Sequence, residues 1–464
     1  MAENDEKQKR LDLLKSYVGR LSKGEDLESV RKDFVKNFSD VEAIEIAQAE
    51  QALISGGVPV AEVQKLCDVH SALFHGKTKE ERIANAEAAV NAGGPGITAL
   101  DIAAGKAAAA DGKAAKEAAR AKAFGMALLD GHPVKTLKDE NKEIQARIDA
   151  TRKVLEGGDE RTVREALSVV RVAATHYAWK GDLIYPLLKT KYGVSGPSDV
   201  MWGVDDEIRD ELSRLSKAET LDDSWKANVS AVLTRAEEMI YKENHILTPI
   251  CVQYFSDSEW ALISKELLAY DAIVGERKCL PEAEAASQAA VDERVAKYAG
   301  IASSAGVAEN AAAIAEASAN ASASKSVQVN STTGIPVSAD TRIELGKEGH
   351  LTVREIAALL NTIPGEISFV DENDINRYFN AGEKLFKRPQ MALDREVYSC
   401  HPPKVEQMAR AIIAELRAGT KDKVSVPMVK AGKKVIVNYM AVRDEAGYVG
   451  TLEFVQEVPE FPQM

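Results

Sequence analysis

Residues 131–141 read GHPVKTLKDEN, and this stretch decides how the middle of the chain folds. His132 stands beside Pro133, a residue tolerated in the first turn of a helix, and opens the first of four long amphipathic segments. The segments cover residues 132–156, 160–188, 205–215 and 224–248, with apolar positions recurring at helical spacing. Helices of this length running up and down with short connections predict a four-helix bundle. A further helix over 257–273 closes it.

Working outward, residues 1–82 predict a compact helical domain. Leu11, Leu14, Val18 and Leu21, then Phe34, Phe38, Val41, Ile44 and Ile46, keep the helical period. Ser39 or Asp40 caps a helix that ends at Gly56 and Gly57, and Pro59 restarts one through His70. Residues 83–128 turn Ala-rich around Gly93, Gly94 and Pro95 and read as an insert or spacer. The bundle is assigned to 129–280. A second Ala/Ser-rich tract, 281–340, ends in ASASKSVQVNSTTG and reads as a linker. Over 341–464 the pattern becomes β-rich, with strands expected at 367–370, 377–379, 424–429, 434–443 and 448–458. One helix, 403–417, lies between the strand groups. The fold class is therefore multidomain and mainly α, with a helical N-terminal domain, a four-helix bundle and a C-terminal α/β domain.

The 464 residues exceed what one hydrophobic core usually serves. A formal charge of −13 argues against a broad nucleic-acid-binding face, which needs clustered Lys and Arg. The charged start MAENDEKQKR and the lack of a long apolar run point to a cytoplasmic chain without a membrane span. Cys67, Cys251, Cys279 and Cys400 form no CxxC pair, so reduced thiols are expected. The sequence carries no P-loop, GxSxG elbow, HExxH or dinucleotide fingerprint, and the reading is of a sensor rather than an enzyme.

Of seven histidines, three fall in the bundle: His132, His176 in HYAWKGDLIYP, and His245 in MIYKENHILTP. Ends of several helices can converge on one buried metal. By themselves, His132 also reads as a helix cap and His176 as a half-buried histidine packed on Tyr177 and Trp179. With KYGVSGPSDVMWGVDDEIR and SDSEW, these motifs make the region similar to the hemerythrin-like (HHE) bundle of DUF438 family proteins. The stretch EIAQAEQALISGGVPVAEVQKLCDVHSALFHG resembles the DUF438 domain itself. LNTIPGEISFVDENDINRYFNAGEKLF, YSCHPPK and AVRDEAGYVGTLEFVQEV resemble a PAS domain.

The resemblance implies a cation-binding bundle with non-haem iron as the expected metal. It places His132 and His176 among iron-binding histidines and Glu243 as a bridging carboxylate. Here the chain departs from the pattern. Lys180 stands four residues after His176 where a carboxylate belongs, Gly181 follows it, and Asp182 is a partial substitute. Asp205 and Met239 take the places of further histidines, and His245, next to the expected ligand turn but out of pattern, is a candidate replacement ligand that ranks below Glu243. Such a set suits one iron or manganese ion better than a di-iron pair, and Lys180 would repel a cation. If the departures abolish the site, the bundle holds no cofactor.

Elsewhere, Cys67 and His70 share one helix face at i, i+3 and are candidate metal or haem ligands, or else core residues. Cys400 and His401 precede Pro402 and Pro403 at a helix start and are candidates for a ligand pocket with Phe369, Tyr378 and Tyr439. The function expected is cytoplasmic sensing of oxygen, nitric oxide, iron or haem, relayed by the PAS-like domain to a protein partner or second copy, with no nucleic acid or membrane. An iron-handling or iron–sulfur cluster repair protein, or a metal-free scaffold, is the alternative.

Overall fold

The computed structural model describes residues 122–304 and 349–458 continuously, with 339–345, the pairs 329–330 and 336–337, and scattered parts of the first 63 residues, of which 51–60 is the longest. Cys67, His70 and most of the Ala-rich insert lie outside the described residues. The chain divides into two compact units, the first comprising 1–280 with 398–409 and the second 281–397 with 410–464. The chain is multidomain, with a helical bundle ahead of a strand-containing sheet.

In the first unit α1 (Pro133–Gly157) is followed by α2 (Glu160–Val170) and α3 (Ala173–Trp179). A π-helical turn (Lys180–Ile184) leads into α4 (Tyr185–Tyr192). Next come α5 (Gly196–Ser216) and α6 (Asp223–Lys242), a second π-helical turn (Glu243–Leu247), α7 (Thr248–Tyr254) and α8 (Asp257–Glu266). The single helix expected over 160–188 is thus broken near residue 171 and widened after Trp179. The third bundle helix begins nine residues before the expected 205, because Pro197 sits in its first turn and starts it.

α1 starts where its local chemistry dictates. The His132 ring accepts a hydrogen bond from the Val134 N–H at 3.1 Å, satisfying one otherwise orphaned donor. Gly131 has φ +82°, and a Cβ there would come 2.6 Å from the Cys279 carbonyl carbon. The Ser264 hydroxyl donates to the Gly131 carbonyl at 2.7 Å and accepts from the Leu280 N–H at 2.8 Å. Together these contacts fasten the segment ending at Leu280 across the start of α1. The bundle core is filled by Ile144, Ile148, Leu167, Ile208, Val229 and Leu233, all buried. Each such side chain contributes about 1.5–3 kcal/mol by leaving water.

The second unit begins with α9 (Ala283–Ser304), inside the tract read as a linker. A short hairpin, β1 (Arg342–Glu344) and β2 (His350–Thr352), precedes α10 (Val353–Thr362). Thr352 and Glu355 form a reciprocal capping box at the start of α10, a helix absent from the sequence expectation. A five-stranded antiparallel sheet follows, built from β3 (Glu366–Asp371), β4 (Asn376–Phe379), β5 (Lys423–Lys430), β6 (Lys433–Asp444) and β7 (Gly447–Glu457). Its spatial order is β4-β3-β7-β6-β5, and α11 (Pro403–Ala418) connects β4 to β5 in sequence. Val435, Val437 and Val455 form its buried centre, covered by Leu385 and Phe386.

Candidate functional site

The centre of the bundle holds a cluster of ionisable side chains. Glu140 comes from α1, His176 from α3, Asp205 from α5, and Lys180 and Glu243 from the first positions of the two π-helical turns. All five are at most 1% exposed. A π-helical turn fits one more residue into its circuit than an α-turn, and such turns recur at functional sites. Here each turn opens on one member of the central ion pair.

His176 bridges two carboxylates, with Nδ1 2.8 Å from Glu140 Oε2 and Nε2 2.9 Å from Glu243 Oε2. Acid acceptors at both nitrogens require both to carry protons, so the ring is an imidazolium. Burial opposes that charge, but the Glu243 carboxylate and the two hydrogen bonds outweigh it and push the ring up to about 9. Burial would likewise raise Glu243, yet Lys180 and His176 hold it down at about 2. The Lys180 ammonium donates to Glu243 Oε1 and lies 3.0 Å from Asp205 Oδ2. Burial, reinforced by the Glu243 charge, raises Asp205 to about 7, while Lys180 and the Tyr185 hydroxyl, donating at 2.8 Å, pull it back.

Outer contacts complete the cluster. Trp179 Nε1 donates to Glu140 Oε2 at 2.8 Å, and Arg277 Nη2 lies 2.7 Å from Glu140 Oε1. Lys180 Nζ sits 4.7 Å from the Tyr177 ring centroid and 5.8 Å from that of Tyr185, within cation–π range. Burial raises both phenols well above their usual range, so they stay protonated. Three acids, Glu140, Asp205 and Glu243, therefore face three bases, His176, Lys180 and Arg277.

Among the sequence candidates, the structure brings together His176, Glu243 and Asp205. His132 instead caps α1, with its ring centroid 5.2 Å from that of Trp260. Eight residues of helix separate it from Glu140, about 12 Å along the axis. Asp182 accepts from the Tyr270 hydroxyl at 2.7 Å. His245 stacks on Tyr241 at 4.0 Å between ring centroids, with Nδ1 2.9 Å from the Tyr241 carbonyl. Glu140 and Arg277 were not singled out in the sequence.

In the sheet, Phe369 pairs with Tyr378 and with Leu452, whereas Tyr439 pairs with Glu453. Neighbouring strand residues point to opposite faces, so Phe369 and Tyr378 lie on one face and Tyr439 on the other. The three cannot line one pocket as expected. Cys400 ends a 3-10 turn over Val397–Cys400, and both it and His401 are half-buried.

Parts of the chain are similar to known families. Residues 132–251 match the hemerythrin HHE cation binding domain, residues 14–80 match DUF438, a family of unknown function, and residues 356–459 match a PAS domain. The crystal structure of a C-terminal domain from Streptococcus mutans is 40% identical, covering 26% of this chain and 93% of its own, with a TM-score of 0.25. No curated protein matches the chain. No helix among the described residues is long and apolar enough to cross a membrane.

An HHE domain suggests a bound cation, often iron. Set against that expectation, the donors present do not fit a di-iron centre as they are arranged. Both nitrogens of His176 face carboxylates, and the oxygens of Asp205 and Glu243 and Glu140 Oε2 are taken up by His176, Trp179, Tyr185 and Lys180. Glu140 Oε1 has Arg277 at ion-pair distance but no hydrogen bond among the described residues. A side chain at 181 is also excluded, since a Cβ on Gly181 would fall 2.9 Å from Trp202 Nε1. Among the described residues, no group of three or more His, Cys, Asp or Glu is disposed to hold a metal ion.

Proposed function

We propose that this chain is a cytoplasmic sensor, not an enzyme, in which the hemerythrin-like bundle carries the input site and the PAS-like unit relays to a protein partner or a second copy. The match to an HHE and a PAS domain supports a metal-binding sensory role in general terms. What carries the finer reading is the convergence of Glu140, His176, Asp205 and Glu243 in a fully buried core. Burying ions costs several kcal/mol each even when they are paired, and stability alone gives no reason to keep them. The input we assign is a divalent cation, iron first, acting on this cluster. Haem is the weaker cofactor here, because neither nitrogen of His176 is free for axial ligation. Iron handling or cluster repair finds no separate support in the geometry.

The test is anaerobic titration of the purified full chain with Fe(II) or Mn(II), followed by hydrogen exchange over the bundle and the sheet. Saturable binding that is lost in Glu243→Gln, with altered exchange in residues 433–457, is the expected result. Binding with no change beyond the bundle would overturn the sensing role.

A further inference from the structure

The central acids of the bundle already have a cation, and it is covalently part of the chain. Lys180 is 0% exposed, its ammonium touches both Glu243 and Asp205, and the faces of Tyr177 and Tyr185 flank it. A point charge among carboxylate oxygens with aromatic walls is the electrostatic environment that would otherwise draw in a small cation. The π-helical turn that begins at Lys180 sets the side chain at this depth, and the one that begins at Glu243 supplies its partner. The absence of a side chain at Gly181 lets the Trp202 indole close in beside it.

We propose that Lys180 is the resident cation of the HHE-type site, so that the bundle folds around its acids without metal and an added divalent ion must displace this ammonium to reach them. The inference rests on the cation-input reading above, but it makes a separate claim about which group holds the site by default. It also inverts the expectation that Lys180 merely repels a cation: the lysine supplies the charge that lets Glu243 and Asp205 stay buried.

The test compares the full chain with Lys180→Met and Lys180→Gln, the glutamine keeping a hydrogen-bond donor without the charge. Folding is followed by tryptophan fluorescence, since Trp179, Trp202, Trp225 and Trp260 all lie in the bundle. Mn(II) binding is followed by calorimetry. The expected result is a wild-type unfolding midpoint unchanged by EDTA. Both variants should have lower midpoints, should recover part of the loss on adding Mn(II), and should bind Mn(II) at least roughly ten-fold more tightly than wild type. Equal Mn(II) affinity in wild type and variants would overturn the role of Lys180 while leaving the cation-input reading standing. Midpoints that drop in the variants with no Mn(II) binding by any protein would support Lys180 as resident cation and overturn the cation input. Variants as stable as wild type would overturn the proposal whatever they bind.

Discussion

The two units treat buried charge in opposite ways. In the sheet, Glu366 is the buried acid, and its carboxylate accepts from the backbone N–H groups of Leu385 and Phe386, while Asn380 Oδ1 accepts from the Ile367 N–H at 2.8 Å. Those polar groups answer donors that the chain path leaves open, and the centre beside them is valine. In the bundle the ionised groups answer mainly one another. Among the described residues, Glu243, Asp205 and Lys180 hydrogen-bond to side chains and not to helical backbone groups, so their burial is not a by-product of closing the fold. The first arrangement is what a fold needs, and the second is what a site needs.

That contrast breaks or sharpens most strongly at Glu243. Glu243→Leu leaves Lys180 and His176 buried with a partner missing, and removing one member of a buried pair costs about 3–5 kcal/mol. For a unit of this size the midpoint should fall by roughly 10 °C in tryptophan fluorescence. Adding Lys180→Met should recover only part of the loss, because it removes the orphaned ammonium but takes from Asp205 its cation partner. A drop of less than about 1 kcal/mol would mean that the ions are solvated after all, and the contrast would fail.

Next in size is the response to pH. His176 has a folded-state value raised from 6.5 to about 9, so its contribution is complete below 6.5 and is lost as pH rises through 9. The shift corresponds to roughly 3 kcal/mol. Asp205, raised to about 7, acts in the same direction, since the folded state holds a proton that the unfolded chain has released above its usual 3.8. Glu243, lowered to about 2, costs stability only on the acid side, as pH falls from 4.5 through 2. Hydrogen exchange should therefore accelerate in residues 173–192 between pH 6.5 and 9, after correction for intrinsic rates, and stay flat in 433–457. Parallel acceleration in both would deny the bundle its distinct titration.

Within the sheet, Glu366→Gln should cost about 1–2 kcal/mol, by weakening charge-assisted acceptance of two backbone donors. Loss of protection confined to β3 and β7, with the tryptophan signal unmoved, is the outcome expected. A shift in the tryptophan transition would show that the units do not unfold separately.

Much of this is legible in the sequence itself. The helical period locates the first and last bundle segments but misses the break near 171 and the early start at Gly196, and the alternating period locates the five sheet strands within a residue or so. The HHE-like motifs point to His176, Glu243 and Asp205 but also to His132, Asp182 and His245, which lie elsewhere. Glu140 carries a signal of its own: it sits three residues after Leu137 and four before Ile144, an acid on the stripe that both bury. Lys180 was visible, but its partners lie 25 and 63 residues away, and only packing pairs them. The π-helical turns add a residue without a compositional mark. Arg277 reaches Glu140 because its segment is pinned at Gly131 and Ser264, a tertiary fact. The faces of Phe369 and Tyr439 depend on register between strands, whereas a sequence shows alternation only within one.

The smallest expected effect uses the same chemistry as the largest. Lys433 Nζ lies 2.9 Å from Glu457 Oε2 across β6 and β7, much like Lys180 beside Asp205, but the side chains are 51% and 54% exposed. Water already solvates both charges, and holding two long side chains together costs entropy that offsets the attraction. Lys433→Met should change stability by about 0–1 kcal/mol, less still in high salt, as read from exchange protection in β6 and β7. Lys180→Met removes the same ammonium from a place where only the chain can replace water. If the two substitutions cost alike, distance alone sets the value of an ion pair here, and the buried cluster has no claim to being a site.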